Sequence, residues 1–494
     1  MKTIRKTRRE FLKTTGIGVT ALSLPHLLTC EKKAQPPPNI IFIMADDLGY
    51  RDLGCYGQNH IQTPNIDKMA REGMRFSQHY AGSPVCAPSR CVLMTGLHSG
   101  HALVRGNREA DPYGQLQIPD ETVTVAELLK QAGYTTGMIG KWGLGVENTP
   151  GDPNKQGFDF FYGYYCQVHA HNSFPEYLYR NGQKEKLQNE VVYMDPSHWT
   201  RGLGSYATKK VDYSQDLCLQ EALHFIESNK NQPFFLYLPF TIPHNNGEAP
   251  AGEMNEVPSL EPYSNESWKR EDKAYAAMIT RLDGYVGKIL DQLKAAGIDE
   301  NTLVMFTSDN GGHINDVFQS NGELRGQKRD LFEGGIRVPL IARWPAKIQT
   351  NTVSEHVSAF WDFLPTACEL VGTTAPANID GISLLPTLLG KEQPQHDYLY
   401  WEFHWWQPAK QAVRFGDWKA VKLHGDENNE SQLMLFNLAE DLAEQHDLAA
   451  QHPDIVARAQ ALMNEAHTHS PHFPFESEKK LSATVHWKCL LKAQ

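Results

Sequence analysis

Cysteine is scarce in this chain: eight among 494 residues, with no Cys-x-x-Cys pair. That excludes a disulfide framework and a thiolate zinc ribbon. Cys55, Cys91, Cys166, Cys218, Cys368 and Cys489 are expected to be buried thiols, or to supply a disulfide or two. Long apolar runs are missing as well. No segment offers the about 20 strongly apolar residues that a membrane-spanning helix needs. Cationic residues are in deficit, with 47 Lys and Arg against 58 Asp and Glu, a formal charge of −11. A nucleic-acid surface is not expected from that balance. An anionic small substrate remains compatible with it, because the local charge of a cleft governs capture. No internal repeat or low-complexity block interrupts the chain.

The chain does contain strands that end in acids. Asn39-Ile40-Ile41-Phe42-Ile43-Met44-Ala45 is apolar and rich in β-branched residues, the pattern of a strand buried on both faces. It runs into Asp46-Asp47-Leu48-Gly49. A second such strand, Thr302 to Thr307, runs into Ser308-Asp309-Asn310-Gly311-Gly312. Open α/β sheets bind ligands at the C-terminal ends of their strands. Three carboxylates and an amide there are hard oxygen donors, suited to Ca²⁺ or Mg²⁺ rather than zinc. Either acid pair alone is also what a turn or a helix cap requires.

Helical spacing over Thr122 to Ala132 and Lys273 to Ala296 is ended by Gly133 and Gly297, and Phe234 to Phe240 reads as a further core strand. The alternation predicts an α/β catalytic domain over 39–390, a large, mainly parallel sheet sandwiched by helices. The composition shifts at Gly390-Lys391-Glu392-Gln393-Pro394. Short strand-like runs follow: Tyr398 to Phe403, Gln411 to Phe415, Trp418 to Leu423 and Leu433 to Asn437. Turn signals separate them, and Pro453 to Ala466 reads as a helix. A smaller C-terminal antiparallel-sheet subdomain is predicted over 391–494. Trp401, Glu402, His404, Trp405 and Trp406 crowd into it, as either core or a platform for sugar rings.

Between the two acid clusters stands Ser83-Pro84-Val85-Cys86-Ala87-Pro88-Ser89-Arg90-Cys91. Pro88 suits the first turn of a helix, which puts Cys86 at the N-terminus, where free N–H groups and the dipole favour an anion. Arg90 adds a cation one turn on. The string Cys86-Ala87-Pro88-Ser89-Arg90 resembles the signature of the type I sulfatases, in the alkaline phosphatase superfamily. The cysteine of that family is oxidised to formylglycine, whose hydrate attacks sulfur. The resemblance implies Asp46, Asp47, Asp309 and Asn310 as calcium ligands beside the modified Cys86, with Mg²⁺ as the alternative ion.

Three more segments extend it. Gly133 to Trp142 resembles the family's second signature, with Lys141 as a sulfate contact. Leu236 to His244 matches the segment that carries a sulfate-contacting histidine, here His244. Gly326 to Pro339 matches the segment with a second sulfate-contacting lysine, here Lys328. The resemblance runs from about Asn39 to about Pro386. One position departs from it: many sulfatases carry a histidine after Gly140-Lys141-Trp142, and this chain has Gly143. His171, then His169, are the candidates to fill the gap, in a stretch whose Tyr, Gly and Asn content suggests a loop. His313, Arg325, His404 and Trp405 complete the candidate substrate contacts.

At the N-terminus, Thr7-Arg8-Arg9-Glu10-Phe11-Leu12-Lys13 and the mildly apolar Thr14 to Thr29 read as a twin-arginine signal peptide over 1–30. Leu27-Leu28-Thr29-Cys30 resembles a lipoprotein cleavage box, followed by a proline-bearing linker over 31–38. The expectation is an exported bacterial sulfatase, periplasmic or surface-anchored, that acts on a sulfated carbohydrate. Its implied partners are a formylglycine-generating maturation enzyme and the twin-arginine export machinery. The alternatives are a phosphonate or phosphate monoester hydrolase of the same superfamily and an inactive sulfoglycan-binding homologue.

Overall fold

The computed structural model describes residues 37–107, 115–197, 203–405, 408–425, 430–476 and 478. The export signal, Cys30, Trp406 and Cys489 lie outside the described residues.

Ten strands form the central sheet, in the order Thr352–Ser354, Met74–Phe76, Leu340–Arg343, Thr302–Ser308, Asn39–Ala45, Phe234–Pro239, Thr135–Lys141, Phe160–Tyr164, Tyr177–Arg180 and Gln183–Lys186. The five from Thr302–Ser308 to Phe160–Tyr164 are mutually parallel. Antiparallel pairings extend the sheet on both sides.

All seven residues of Asn39–Ala45 are buried. Ile40, Phe42 and Met44 enter one core and Ile41, Ile43 and Ala45 the other, so the strand is apolar on both faces. The helices Cys86–Thr95 and Phe363–Val371 cover the first face; Ser214–Asn229 and Arg270–Ala295 cover the second. Each fully buried Ile or Phe contributes about 1.5–3 kcal/mol. A one-residue slip would interchange the two sets of side chains, so packing locks the register. That register aligns Ala45 with Ser308 and Met44 with Pro239. The acid clusters and the loop carrying His244 therefore emerge side by side.

Helix boundaries follow local chemistry. The helix expected from Thr122 begins at Val125, because Thr124 is its N-cap and forms a reciprocal capping box with Glu127. The long helix spans Arg270–Ala295, three residues earlier at its start than the apolar spacing indicates, with Glu271 and Asp272 in its first turn.

The C-terminal segment forms a separate antiparallel sheet of Leu399–Phe403, Lys410–Phe415, Trp418–Leu423 and Gln432–Asn437. Leu399, Trp401 and Phe403 point into the main core, while Tyr400, Val413 and Leu435 pack with Ala459 and Met463 of the Pro453–Ala466 helix. Trp401 is fully buried in the main core, and Glu402 is a fully buried carboxylate held by Arg105 and His467. Buried Lys419 ties the sheet to the main domain, 2.8 Å from Glu333 and 2.9 Å from Glu444. The six described cysteines are free thiols. Among the described residues, no helix is long and apolar enough to cross a membrane.

Candidate active site

The site gathers at the C-terminal ends of the central parallel strands. Asp46 and Asp47 follow Asn39–Ala45, and Asp309 and Asn310 follow Thr302–Ser308. All four are buried. The Asp309 N–H donates to the Ala45 carbonyl (3.1 Å), which continues the strand pairing into the acids. The Asp47 N–H donates to Asp309 Oδ1 (3.2 Å), and Asn310 Nδ2 donates to Asp47 Oδ1 (2.7 Å). Asp47 holds φ at +66°, a left-handed conformation that turns its side chain away from the extended path.

Three cations hold these carboxylates. Arg90 Nη2 lies 2.8 Å from Asp309 Oδ2 and 3.3 Å from Asp46 Oδ2, and Nη1 donates to the Lys141 carbonyl. Lys141 Nζ is 2.7 Å from Asp46 Oδ2. Lys328 Nζ is 2.7 Å from Asp47 Oδ2 and 3.0 Å from His244 Nε2. His244 Nδ1 faces the Asn245 carbonyl at 2.6 Å, so that nitrogen carries the proton and Nε2 accepts from Lys328. His313 Nε2 approaches Asp47 Oδ2 at 3.7 Å from a half-exposed position.

The electrostatics follow from this crowding. Burial, then repulsion from Asp46, pushes the Asp309 carboxyl up to about 7 despite Arg90. Burial would raise Asp47 too, but the charge and hydrogen bond of Lys328 outweigh it and hold the group well below the usual carboxylate range. Burial, reinforced by Lys328, keeps His244 neutral far below its ordinary value.

Cys86 opens the Cys86–Thr95 helix, whose ten residues are all buried. Its Sγ lies 2.5 Å from Gln167 Oε1 and accepts from Asn107 Nδ2 at 3.5 Å. Asp46, Cys86 and Asp309 offer ligand atoms within 4.8 Å of one another, as do Asp46, Asp47 and His244. Asp46 Oδ1 and Asn310 Oδ1 are buried without a hydrogen-bond partner. Two orphaned oxygens among ionised carboxylates fit a hard cation, since leaving such atoms bare costs about 1–3 kcal/mol each.

Cys86, Arg90, Lys141, His244, Lys328, Asp46, Asp47, Asp309 and Asn310 thus form one cluster, with His313 at its edge. His171 occupies a 3₁₀ turn, His169–His171, with its ring stacked 4.9 Å from that of His244 and Nδ1 3.0 Å from Glu248 Oε2. The other histidine of that turn, His169, packs among Tyr164, Tyr177 and Tyr179 instead. Arg325 donates to the Glu444 carbonyl and lies over the Phe332 ring, joining the C-terminal segment rather than the acids. His404 contacts Glu402 and stacks on Phe475. Trp405 carries the guanidinium of Arg329, the neighbour of Lys328, over its ring at 4.9 Å.

Sequence reasoning missed Gln167, Asn107, Glu248 and Arg329 as site residues. Gln167 sits between Cys166 and the two histidines, but no pattern in the sequence distinguishes it.

The family model described as Sulfatase matches residues 38–373, and the one described as N-sulphoglucosamine sulphohydrolase, C-terminal, matches residues 325–469. The chain is 32% identical over 459 residues to N-acetylgalactosamine-6-sulfatase of Canis lupus familiaris, covering 84% of this chain and 82% of that protein. It is 29% identical to N-acetylgalactosamine-6-O-sulfatase of Bacteroides thetaiotaomicron over 520 residues, covering 90% and 97%. The crystal structure of Ps i-CgsB in complex with k-i-k-neocarrahexaose superposes with a TM-score of 0.73 at 28% identity, covering 92% of this chain and 97% of that one. The chain belongs to the sulfatase family. It is a sulfuric ester hydrolase, with that family's large, mostly parallel sheet and small C-terminal antiparallel sheet.

The buried charges also set a stability requirement. Removing Arg90 leaves Asp46 and Asp309 partly uncompensated, and losing one partner of a buried pair costs about 3–5 kcal/mol. Arg90→Met is expected to lower the urea midpoint of metal-free protein by that equivalent, with part of the loss recovered in Arg90→Met/Asp309→Asn. An unchanged midpoint for the single variant would contradict the placement of Arg90.

Proposed function

We propose that this protein hydrolyses sulfate esters of a carbohydrate, with formylglycine made from Cys86 as nucleophile and Ca²⁺ as metal. The observation that carries this reading is the buried group of Asp46, Cys86 and Asp309, held by Arg90 and flanked by Lys141 and Lys328. The sugar is supported by the relatives, whose names specify N-acetylgalactosamine sulfates. The Trp405–Arg329 pair next to Lys328 adds an aromatic face beside a cation, which suits an anionic sugar ring.

Asp46, Asp47, Asp309 and Asn310 would hold the metal, which supplies positive charge for the sulfate oxygens when bound. Lys141 and Lys328 bring two further positive charges to the anion in a water-poor site. Arg90 fixes the helix N-terminus against Asp309, and Asp309 stands ready to take the proton of the attacking group. Neutral His244, with its Nδ1 proton committed to the Asn245 carbonyl, accepts from Lys328 and fixes that ammonium beside the leaving oxygen, to which the lysine gives its proton. We place the enzyme outside the cytoplasm, exported by the twin-arginine signal and tethered through Cys30.

Mass spectrometry of the Cys86 peptide after expression with a maturation enzyme is expected to show conversion to formylglycine. Cys86→Ala is expected to fold and to lose sulfatase turnover by at least about 1000-fold. Turnover within about tenfold of wild type would end this mechanism. Rates on aryl sulfate should exceed those on aryl phosphate and on a phosphonate diester; the reverse order would assign the chain to the phosphoryl branch.

Titrating chelated protein with Ca²⁺ is expected to restore turnover and to raise the unfolding midpoint. The gain is about 2.7 kcal/mol at about 100 times Kd, and Asn310→Ala should need more Ca²⁺ for the same shift. Restoration by zinc alone would overturn the metal assignment.

His171 stacks on His244, on the leaving-oxygen side of the proposed arrangement, so its role is read as shaping the sugar pocket. His171→Ala should raise KM for the saccharide and leave aryl sulfate kcat within about threefold. Sulfated enzyme trapped after a burst would instead make His171 a base in product expulsion.

A further inference from the structure

At position 143 the backbone holds φ at +88°, and a Cβ added there would lie 3.3 Å from Gln167 Cγ and 3.7 Å from Gln167 Cδ. The space beside Gly143 is therefore already filled, by the side chain of Gln167. Two backbone contacts bring it there: the Gly143 N–H donates to the Tyr165 carbonyl (3.0 Å), and the Ala170 N–H closes a turn onto the Cys166 carbonyl (3.1 Å). Gln115 Nε2 donates to the same Tyr165 carbonyl at 3.0 Å and fixes the start of that turn. Gln167 is buried, and its Oε1 ends 2.5 Å from Cys86 Sγ.

The Gln167 amide oxygen thus faces the Cys86 side chain directly, an acceptor set against a donor. On its other side Asn107 offers Nδ2 to the same position, with its Oδ1 accepting the Ala87 N–H at 3.3 Å. One amide oxygen and one amide N–H thus converge on the atom that replaces Sγ.

We infer that Gln167 is the positioning group for the nucleophile, accepting a hydrogen bond from the hydroxyl that stands where Sγ does. This rests on the formylglycine reading above. An amide oxygen can only accept. It favours a hydroxyl on Cβ over a bare aldehyde oxygen, which is an acceptor as well. Gln167 thereby keeps the group hydrated and aims one of its oxygens, while Gly143 leaves the amide its room.

The test uses full-length, matured protein and two variants: Gln167→Met, which keeps the volume and removes the acceptor, and Gln167→Asn, which keeps the amide and shortens its reach. The formylglycine content of each is measured on the Cys86 peptide, so that kcat is expressed per converted site. Both variants are expected to lose at least about tenfold in aryl sulfate kcat with KM within about twofold. Both should also react at least about threefold faster with an aminooxy reagent, which traps the aldehyde form. A role in packing alone would spare Gln167→Met. Wild-type kcat and an unchanged oxime rate in either converted variant would overturn the inference; if one variant fails to mature, the other decides. Converted wild-type protein that turns over no sulfate ester would remove the sulfatase reading, and the oxime rates would still test Gln167.

Discussion

Three carboxylates share one buried volume at the ends of two neighbouring strands, and three cations keep them there. Arg90 spans Asp46 and Asp309, Lys141 holds Asp46 and Lys328 holds Asp47. Each cation comes from a different part of the fold: the Cys86–Thr95 helix, the Thr135–Lys141 strand and the 326–330 loop. A buried charge without a partner costs several kcal/mol, so none of these elements can shift independently. The packing of the sheet and the balance of charge in the site are one constraint. The cations nearly offset the acids before any ligand enters. A sulfate ester, which carries a single negative charge, would then enter a site that a divalent metal makes net positive.

Much of this was legible in the sequence because it is written in local patterns. Asn39–Ala45 and Thr302–Ser308 are apolar on both faces, so their burial and the exit of Asp46 and Asp309 at one sheet edge follow from composition and chain direction. Cys86 at a helix N-terminus follows from Pro88 and the apolar run behind it. The run Tyr398 to Phe403 reads as a strand in the sequence, while its place between two cores emerges only in the fold.

What was not legible depends on loops and on distance. His169 and His171 have the same local context, yet a 3₁₀ turn sends one into a tyrosine cluster and the other onto His244. Nothing in the residue types separates them. Gln167 is an ordinary polar residue until the backbone of Gly143 and the turn at Tyr165 place it against Cys86. Arg325 and Arg329 stand four residues apart in one segment. One braces the C-terminal sheet, and the other lies on Trp405 beside the site. Such assignments are made by tertiary contacts, which a linear pattern does not encode.

The bond from Asn310 to Asp47 joins residues 263 positions apart, and that from Asp47 to Asp309 spans 262. Loop closure over such a separation is entropically costly and slow, and it is realised only when the parallel strands between have found their places. A fragment that ends before Thr302 can pair Asp46 with Arg90 and Lys141 but lacks Asp309, Asn310 and Lys328. During synthesis Asp47 waits, unpaired with Asn310 and Lys328, until the strand at Thr302 and the loop beyond it have emerged and docked. Chemical competence therefore arrives abruptly and late, as a property of the closed sheet.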